Sequence, residues 1–194
     1  MSASSRTSSA ANRVRLDTFA NPEYSPGAGK LKLLFWYLVN ALLFINPLNP
    51  LSSLKVTLLR WFGAKVGRGV VIKPGVNIKY PWLLTVGNHC WLGERVWIDN
   101  LVPVTLEDHV CLSQGAMLLT GNHNYKSSSF NLITGSIYLE TGSWVGAKSM
   151  VTPGVRVHSH AVLSVQSVAT QNLEAYSVYQ GNPAQVVRKR EIIR

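Results

Sequence analysis

Carboxylates are scarce in this chain: nine Asp and Glu stand against nineteen Lys and Arg in 194 residues. The shortage is uneven. Residues 1–80 hold eleven Lys and Arg and only two acids, Asp17 and Glu23, whereas residues 81–194 hold eight and seven. An N-terminal third that is both positive and apolar suits an anionic surface, membrane lipid before nucleic acid. No basic run is interleaved with aromatics as in an RNA-binding face, so no nucleic-acid partner is expected. Cysteine is limited to Cys90 and Cys111, without a CxxC pair or metal-ligand spacing. That reads as two free thiols in a reducing, cytoplasmic compartment. A spanning run is missing too. The most apolar stretch, KLKLLFWYLVNALLFINPL at 30–48, offers fifteen residues from Leu31 to Ile45, with Lys32 at one end and Pro47 past the other. A membrane span needs about 20. Asn-Gly and Asp-Gly, the usual two-residue hairpin turns, do not occur, which weighs against an antiparallel sandwich.

The chain suits one domain with short extensions. Residues 1–29 open with MSASSRTSSAANRVR, which is Ser-rich and free of acids. They read as a flexible basic tail, with a transit-peptide-like composition as the alternative. Residues 30–64 carry two helical patterns; in the second, Leu54, Leu58 and Trp61 share a face. Such a segment can cap the open end of a repeat domain, or lean on a membrane as a peripheral contact.

From Val66 to residue 174 a six-residue beat appears. Hexapeptides begin at 66, 72, 78; 86, 92, 98; 106, 112, 118; 139, 145, 151; and 157, 163, 169, and fourteen of these fifteen starts are Leu, Ile or Val. The fifth place is usually small, as at Val76, Cys90, Ala116, Ser143, Ser149 and Ser167, and the second is often Gly, as at Gly67, Gly87, Gly93 and Gly146. A period of six with an inward aliphatic and a small fifth residue predicts a parallel β-helix of about five triangular coils. Two extra residues precede both Val86 and Leu106, and a longer break, LLTGNHNYKSSSFNLITGS at 118–136, interrupts the beat.

These hexapeptides, the histidine-bearing break and the terminal VYQGNPAQVVRKR together resemble the hexapeptide-repeat acyltransferases, over residues 60–190. LLRWFGAKVGRGVVIKP and KYPWLLTVGNHCWLGERVWIDNLVPV resemble their colanic acid biosynthesis acetyltransferase branch. The resemblance implies a left-handed parallel β-helix with one excursion loop, a GNPA turn and a short basic C-terminal helix over 175–194. It implies acetyl-CoA-dependent O-acetyl transfer to a sugar of an exopolysaccharide or its lipid-linked precursor, in a homotrimer with no metal. His123 matches the catalytic base, at the last place of its hexapeptide, with Asn124–Ser136 as the excursion. Imidazole titrates near neutrality and can take the hydroxyl proton as the oxygen attacks the thioester. Asn122, Asn124 and Tyr125 beside it, Asn100 on a bulged corner, and Trp144 are expected to meet the acceptor or the thioester arm; Tyr125 and Phe130 shape its mouth or brace a neighbouring subunit. Ala147, Val165, Thr170 and Arg188 match the coenzyme A positions, the first two through backbone groups and the last two toward phosphates.

Two matches depart from the family. Asn124 stands where the branch usually has Asp, and Gln171 where it has Lys, with Lys148 or Lys189 as substitutes. They keep open a second reading, a scaffold β-helix without catalysis. A third follows from a sister group with zinc carbonic-anhydrase activity, but that site needs three converging histidines. His89 and His109, one coil apart, are expected instead to stack at an outer corner.

Overall fold

The computed structural model describes residues 13–193. The Ser-rich start, with either reading of residues 1–12, lies outside the described residues.

The six-residue beat folds into a triangular prism with three faces of stacked parallel strands. Val66, Val86, Leu106, Leu139 and Val157 stand in register on the first face. Ile72, Leu92, Leu112, Val145 and Leu163 do so on the second, and Ile78, Ile98, Leu118, Val151 and Ala169 on the third. All fifteen hexapeptide starts therefore point inward, and all but Val66 are buried. The small fifth residues are buried beside them because each inner corner has room for little more. A strand of two residues buries almost nothing alone, so stability comes from one coil stacking on the next. Gly at the second place follows from how closely the turns stack. A Cβ on Gly87 would lie 2.6 Å from the Glu107 carbonyl carbon, and one on Gly146 2.7 Å from the Val165 nitrogen.

The corner between the first and second faces repeats without insertion. One residue per coil takes a left-handed backbone there: Gly69, His89, His109, Gly142, His160 and Tyr176. His89 stacks on His109 as expected, at 5.4 Å between ring centroids, and His160 likewise stacks on Tyr176 at 4.7 Å. The corner between the second and third faces is equally regular, turning at Gly75, Arg95, Gly115, Lys148, Gln166 and Gly181. The third corner, between the third and first faces, takes every departure from the beat: a short helical turn at Pro81–Leu83, the bulge at Leu101–Pro103, and the long excursion.

Helix α1 (Lys30–Val39), prolonged by a wider turn through Phe44, and helix α2 (Ser52–Trp61) close the N-terminal end. Trp36 and Phe44 are buried against the first coil. The Trp36 indole donates to the Ile78 carbonyl at 2.8 Å, and the Asn40 amide to Asn77 Oδ1 at 2.7 Å. Lys55 of α2 is fully buried, its ammonium donating to the Asn49 and Lys73 carbonyls at 2.9 and 3.0 Å. Burial lowers its pKa, since charge is disfavoured away from water.

Two expectations are corrected here. The C-terminal segment is not helical. Ser177–Gly181 enters the second face as the start of a sixth coil, and Ala184–Lys189 pairs back on it antiparallel. Val186 and Val187 are stiff at χ1 and favour extended backbone, and the exposed edge of the last coil offers unpaired groups that a helix would leave open. Residues 13–29 are not a free tail. They form a strap along the third corner: the Arg15 N–H donates to the Ser128 carbonyl at 2.7 Å, Asn21 Oδ1 accepts the Leu132 N–H at 3.0 Å, and Trp82 donates to the Pro26 carbonyl at 2.6 Å.

Candidate active site

The excursion is an antiparallel ribbon, Gly121–His123 paired with Leu132–Thr134. It starts earlier than the hexapeptide count predicts. The prism ends at buried Thr120, so His123 sits on the first ribbon strand and not in a coil. Thr120 secures the departure, its hydroxyl donating to the Asp99 carbonyl at 2.8 Å and accepting the Leu101 N–H at 2.8 Å.

His123 is held on three sides. Its Nδ1 lies 2.8 Å from the Phe130 carbonyl, its ring stacks on Phe130 at 4.4 Å and 8°, and Phe19 of the strap packs at 5.6 Å. A carbonyl only accepts, so Nδ1 carries the proton and neutral His123 presents a bare Nε2. Phe130 supplies both ring and carbonyl from a left-handed backbone, φ 51, which bulky residues seldom adopt. Strain of this kind collects where a loop must aim a group.

Asn124, where the resemblance leads one to expect Asp, serves the loop and not the histidine. The Asn124 side chain accepts the Lys126 N–H at 3.1 Å and its own N–H donates to the Asn131 carbonyl at 2.8 Å, which closes the loop. The histidine's orienting partner is the Phe130 carbonyl. Asn122 is exposed, with Oδ1 accepting the His123 N–H at 2.8 Å, and Tyr125 stands 74% exposed at the ribbon tip. Asn100 differs from expectation. It is fully buried, its amide donating to the Tyr80 carbonyl at 2.6 Å and accepting the Tyr80 N–H at 3.0 Å, so it ties two coils together and presents no surface to a ligand.

The other candidates gather elsewhere. A groove of about 590 Å³ runs along the regular corner between the second and third faces, lined by Trp144, Ala147, Val165 and Arg188 together with Ser113, Ser164 and Val178. Trp144 is fixed by donating to the Ser113 hydroxyl at 2.8 Å. The Ala147 carbonyl accepts the Gln166 N–H at 2.9 Å, while among the described residues neither the Ala147 nor the Val165 N–H has a partner. Of the neighbouring cations, Lys189 donates to Ser177, and Arg190 to the carbonyls of Gly142 and His160. Arg188 carries no such bond among the described residues. Thr170 does not join them: it is exposed at the end of the third face, toward the other corner.

Sequence reasoning missed the strap. Ala20–Ser25, Leu101–Pro103 and the ribbon enclose a cleft of about 640 Å³ that includes Asn21, Glu23, Tyr24 and Leu132. Leu132 is the cross-strand partner of His123, so the two side chains share a ribbon face. The strap has no periodicity to betray it; Asn-Pro and Ser-Pro turns were the only signal. Among the described residues no three metal-ligating side chains converge, and His158 pairs with Glu140 at 3.0 Å.

A β-helix with one strapped, histidine-bearing ribbon and a groove along its regular corner defines a hexapeptide-repeat scaffold. No family model matches the chain. In fold it is similar to the hexapeptide-repeat acetyltransferase VCA0836 of Vibrio cholerae, with TM-score 0.76, 18% identity and coverage of 86% of this chain and 96% of that one. It is also similar to a galactoside acetyltransferase solved with coenzyme A, with TM-score 0.73, 20% identity and coverage of 83% and 82%. That likeness makes the prism left-handed. In sequence it is 35% identical over 175 residues to "Putative colanic acid biosynthesis acetyltransferase WcaF" of Escherichia coli strain K12, covering 90% of this chain and 96% of the relative. The chain therefore belongs to the hexapeptide-repeat acetyltransferases, on the WcaF branch.

Proposed function

We propose that this acetyltransferase moves acetyl from acetyl-CoA to a sugar hydroxyl of an exopolysaccharide or its lipid-linked precursor, by direct transfer with His123 as general base. The observation that carries the reading is the His123 Nδ1–Phe130 carbonyl bond, which leaves Nε2 free to accept a proton. The acceptor O–H would give its proton to Nε2 as its oxygen bonds the thioester carbon. The tetrahedral intermediate then expels the sulfur, which takes that proton and leaves as coenzyme A thiol. A backbone N–H would stabilise the oxyanion.

Coenzyme A would lie in the groove, with the Ala147 and Val165 N–H groups on its pantetheine amides and Arg188 on its phosphates; Trp144 would flank the thioester arm. The acceptor would enter beside Asn122, Asn124 and Tyr125, with the strap cleft behind them. Within one chain the third face separates ribbon from groove. This supports a homotrimer in which the ribbon of one subunit meets the groove of the next.

The test is thiol release from acetyl-CoA with a panel of sugars and lipid-linked oligosaccharides, for wild type and His123→Ala. Acceptor-dependent turnover should fall about 10²- to 10⁴-fold in the variant, with coenzyme A affinity unchanged. Undiminished turnover would remove His123 from the chemistry. Absence of coenzyme A binding by the wild type would favour a scaffold.

A further inference from the structure

We infer that the outer face of α1 is a docking surface for anionic lipid. The helix has two apolar stripes. The inner one, Trp36 and Phe44 with Asn40 between them, is buried on the first coil. The outer one, Leu31, Leu34, Phe35, Leu38, Leu42 and Ile45, keeps the three- and four-residue spacing of a single helix face, and its members are 44–72% exposed. A helix that is apolar all round is ordinarily covered all round. Capping the prism accounts for the inner stripe and leaves the outer one without a function.

Charge identifies what covers it. Residues 30–80 contain eight Lys and Arg and not one Asp or Glu. Lys30, Lys32, Arg60 and Lys65 are exposed on this end of the molecule. A second copy laid face to face would set like charge against like with no acid to relieve it, which opposes association. Residues 1–12 hold no large apolar side chain after Met1 and cannot fill the stripe. An anionic bilayer surface satisfies both halves, apolar contact for the stripe and negative charge for the fringe. No helix among the described residues is long and apolar enough to cross a membrane, so α1 lies in the plane of the interface. From Leu31 to Leu42 the stripe lines neither the ribbon cleft nor the groove, only Ile45 at its end reaching the pocket beside Gln114, and it does not depend on the proposed chemistry.

The experiment is co-sedimentation of the full chain with vesicles of phosphatidylcholine alone and of phosphatidylcholine mixed with phosphatidylglycerol, with solution mass measured in parallel. The wild type should bind the mixed vesicles, bind the neutral ones far less, and release in high salt. Leu38→Ser/Leu42→Ser, whose sites face outward, should bind at least about tenfold more weakly, from the loss of two buried leucines. Lys30→Glu/Lys65→Glu, which alters no apolar contact, should weaken binding to the mixed vesicles alone. Failure of the wild type to bind, or equal binding by both variants, overturns the proposal. So does a stripe variant that falls to a smaller oligomer while vesicle binding is absent, which would assign the stripe to a second copy.

Discussion

The two corners that flank the third face are built on opposite principles. The corner shared with the second face turns once per coil on a single left-handed residue, from Gly75 to Gly181. Its regularity produces a groove lined from equivalent places in successive coils and closed by Arg188 and its neighbours from the C-terminal hairpin. The corner shared with the first face absorbs every insertion. Its irregularity produces the ribbon, the strap and the one histidine held by a carbonyl and two aromatic rings. Repetition suits an extended ligand that is the same across many enzymes, whereas insertion suits whatever differs between them. Loops on a rigid scaffold are where specificity ordinarily resides.

The comparison breaks most severely if the scaffold fails under both corners at once. Leu118 is fully buried on the third face, two residues before the ribbon departs. Leu118→Ala should cost about 2–5 kcal/mol, read as a fall in thermal midpoint. Coenzyme A binding and turnover should be lost together near that midpoint. A variant that lost only turnover would show that the ribbon unfolds independently of the coils.

Next in size is Arg188→Ala, which touches only the regular corner. Loss of a charge-assisted contact is worth about 1.5–3 kcal/mol, so coenzyme A affinity should drop roughly tenfold to a hundredfold. Turnover at saturating acetyl-CoA should hold. Unchanged affinity would take Arg188 out of the groove's function. Phe19→Ala addresses the other corner. It removes one face of the His123 enclosure and leaves the Phe130 carbonyl bond in place. Turnover should fall severalfold, with coenzyme A affinity intact. An equal loss in both would tie the strap to the groove.

The regular corner was legible in the sequence and the irregular one only in part. Inward positions announce themselves because each coil presents the same volume, so Leu, Ile and Val recur at fixed spacing and are almost all buried. Three groove residues, Ala147, Val165 and Arg188, followed from the resemblance to the family and not from the repeat itself. Thr170, matched in the same way, is not among them, because it follows the last third-face strand and lies toward the irregular corner. Asn100 misled for a related reason: a polar residue at a bulge reads equally well as ligand contact or as coil tie, and only its bonds to Tyr80 decide. The strap was invisible because its contacts, such as Asn21 to Leu132, join residues more than a hundred positions apart.

The smallest effect lies at the end of a first-face strand, outside both the groove and the ribbon. Glu140 accepts from Arg156 at 2.7 Å and from the Ser159 N–H at 2.9 Å, and lies 3.0 Å from His158. The Arg156 bond, foremost among these, holds its carboxyl below the usual range. A carboxylate depressed on folding adds stability above its unfolded value of about 4.3, and that stability is lost as pH falls through the lower folded value. Glu140→Gln should therefore lower the thermal midpoint slightly at pH 7, by an amount in keeping with about 0.2–1 kcal/mol for an exposed pair. The gap between variant and wild type should close as the pH drops below about 4. A gap that is constant across this range would mean that Glu140 acts through packing and hydrogen bonds alone. Either way coenzyme A binding should not change, because Glu140 lines neither the groove nor the cleft behind the ribbon.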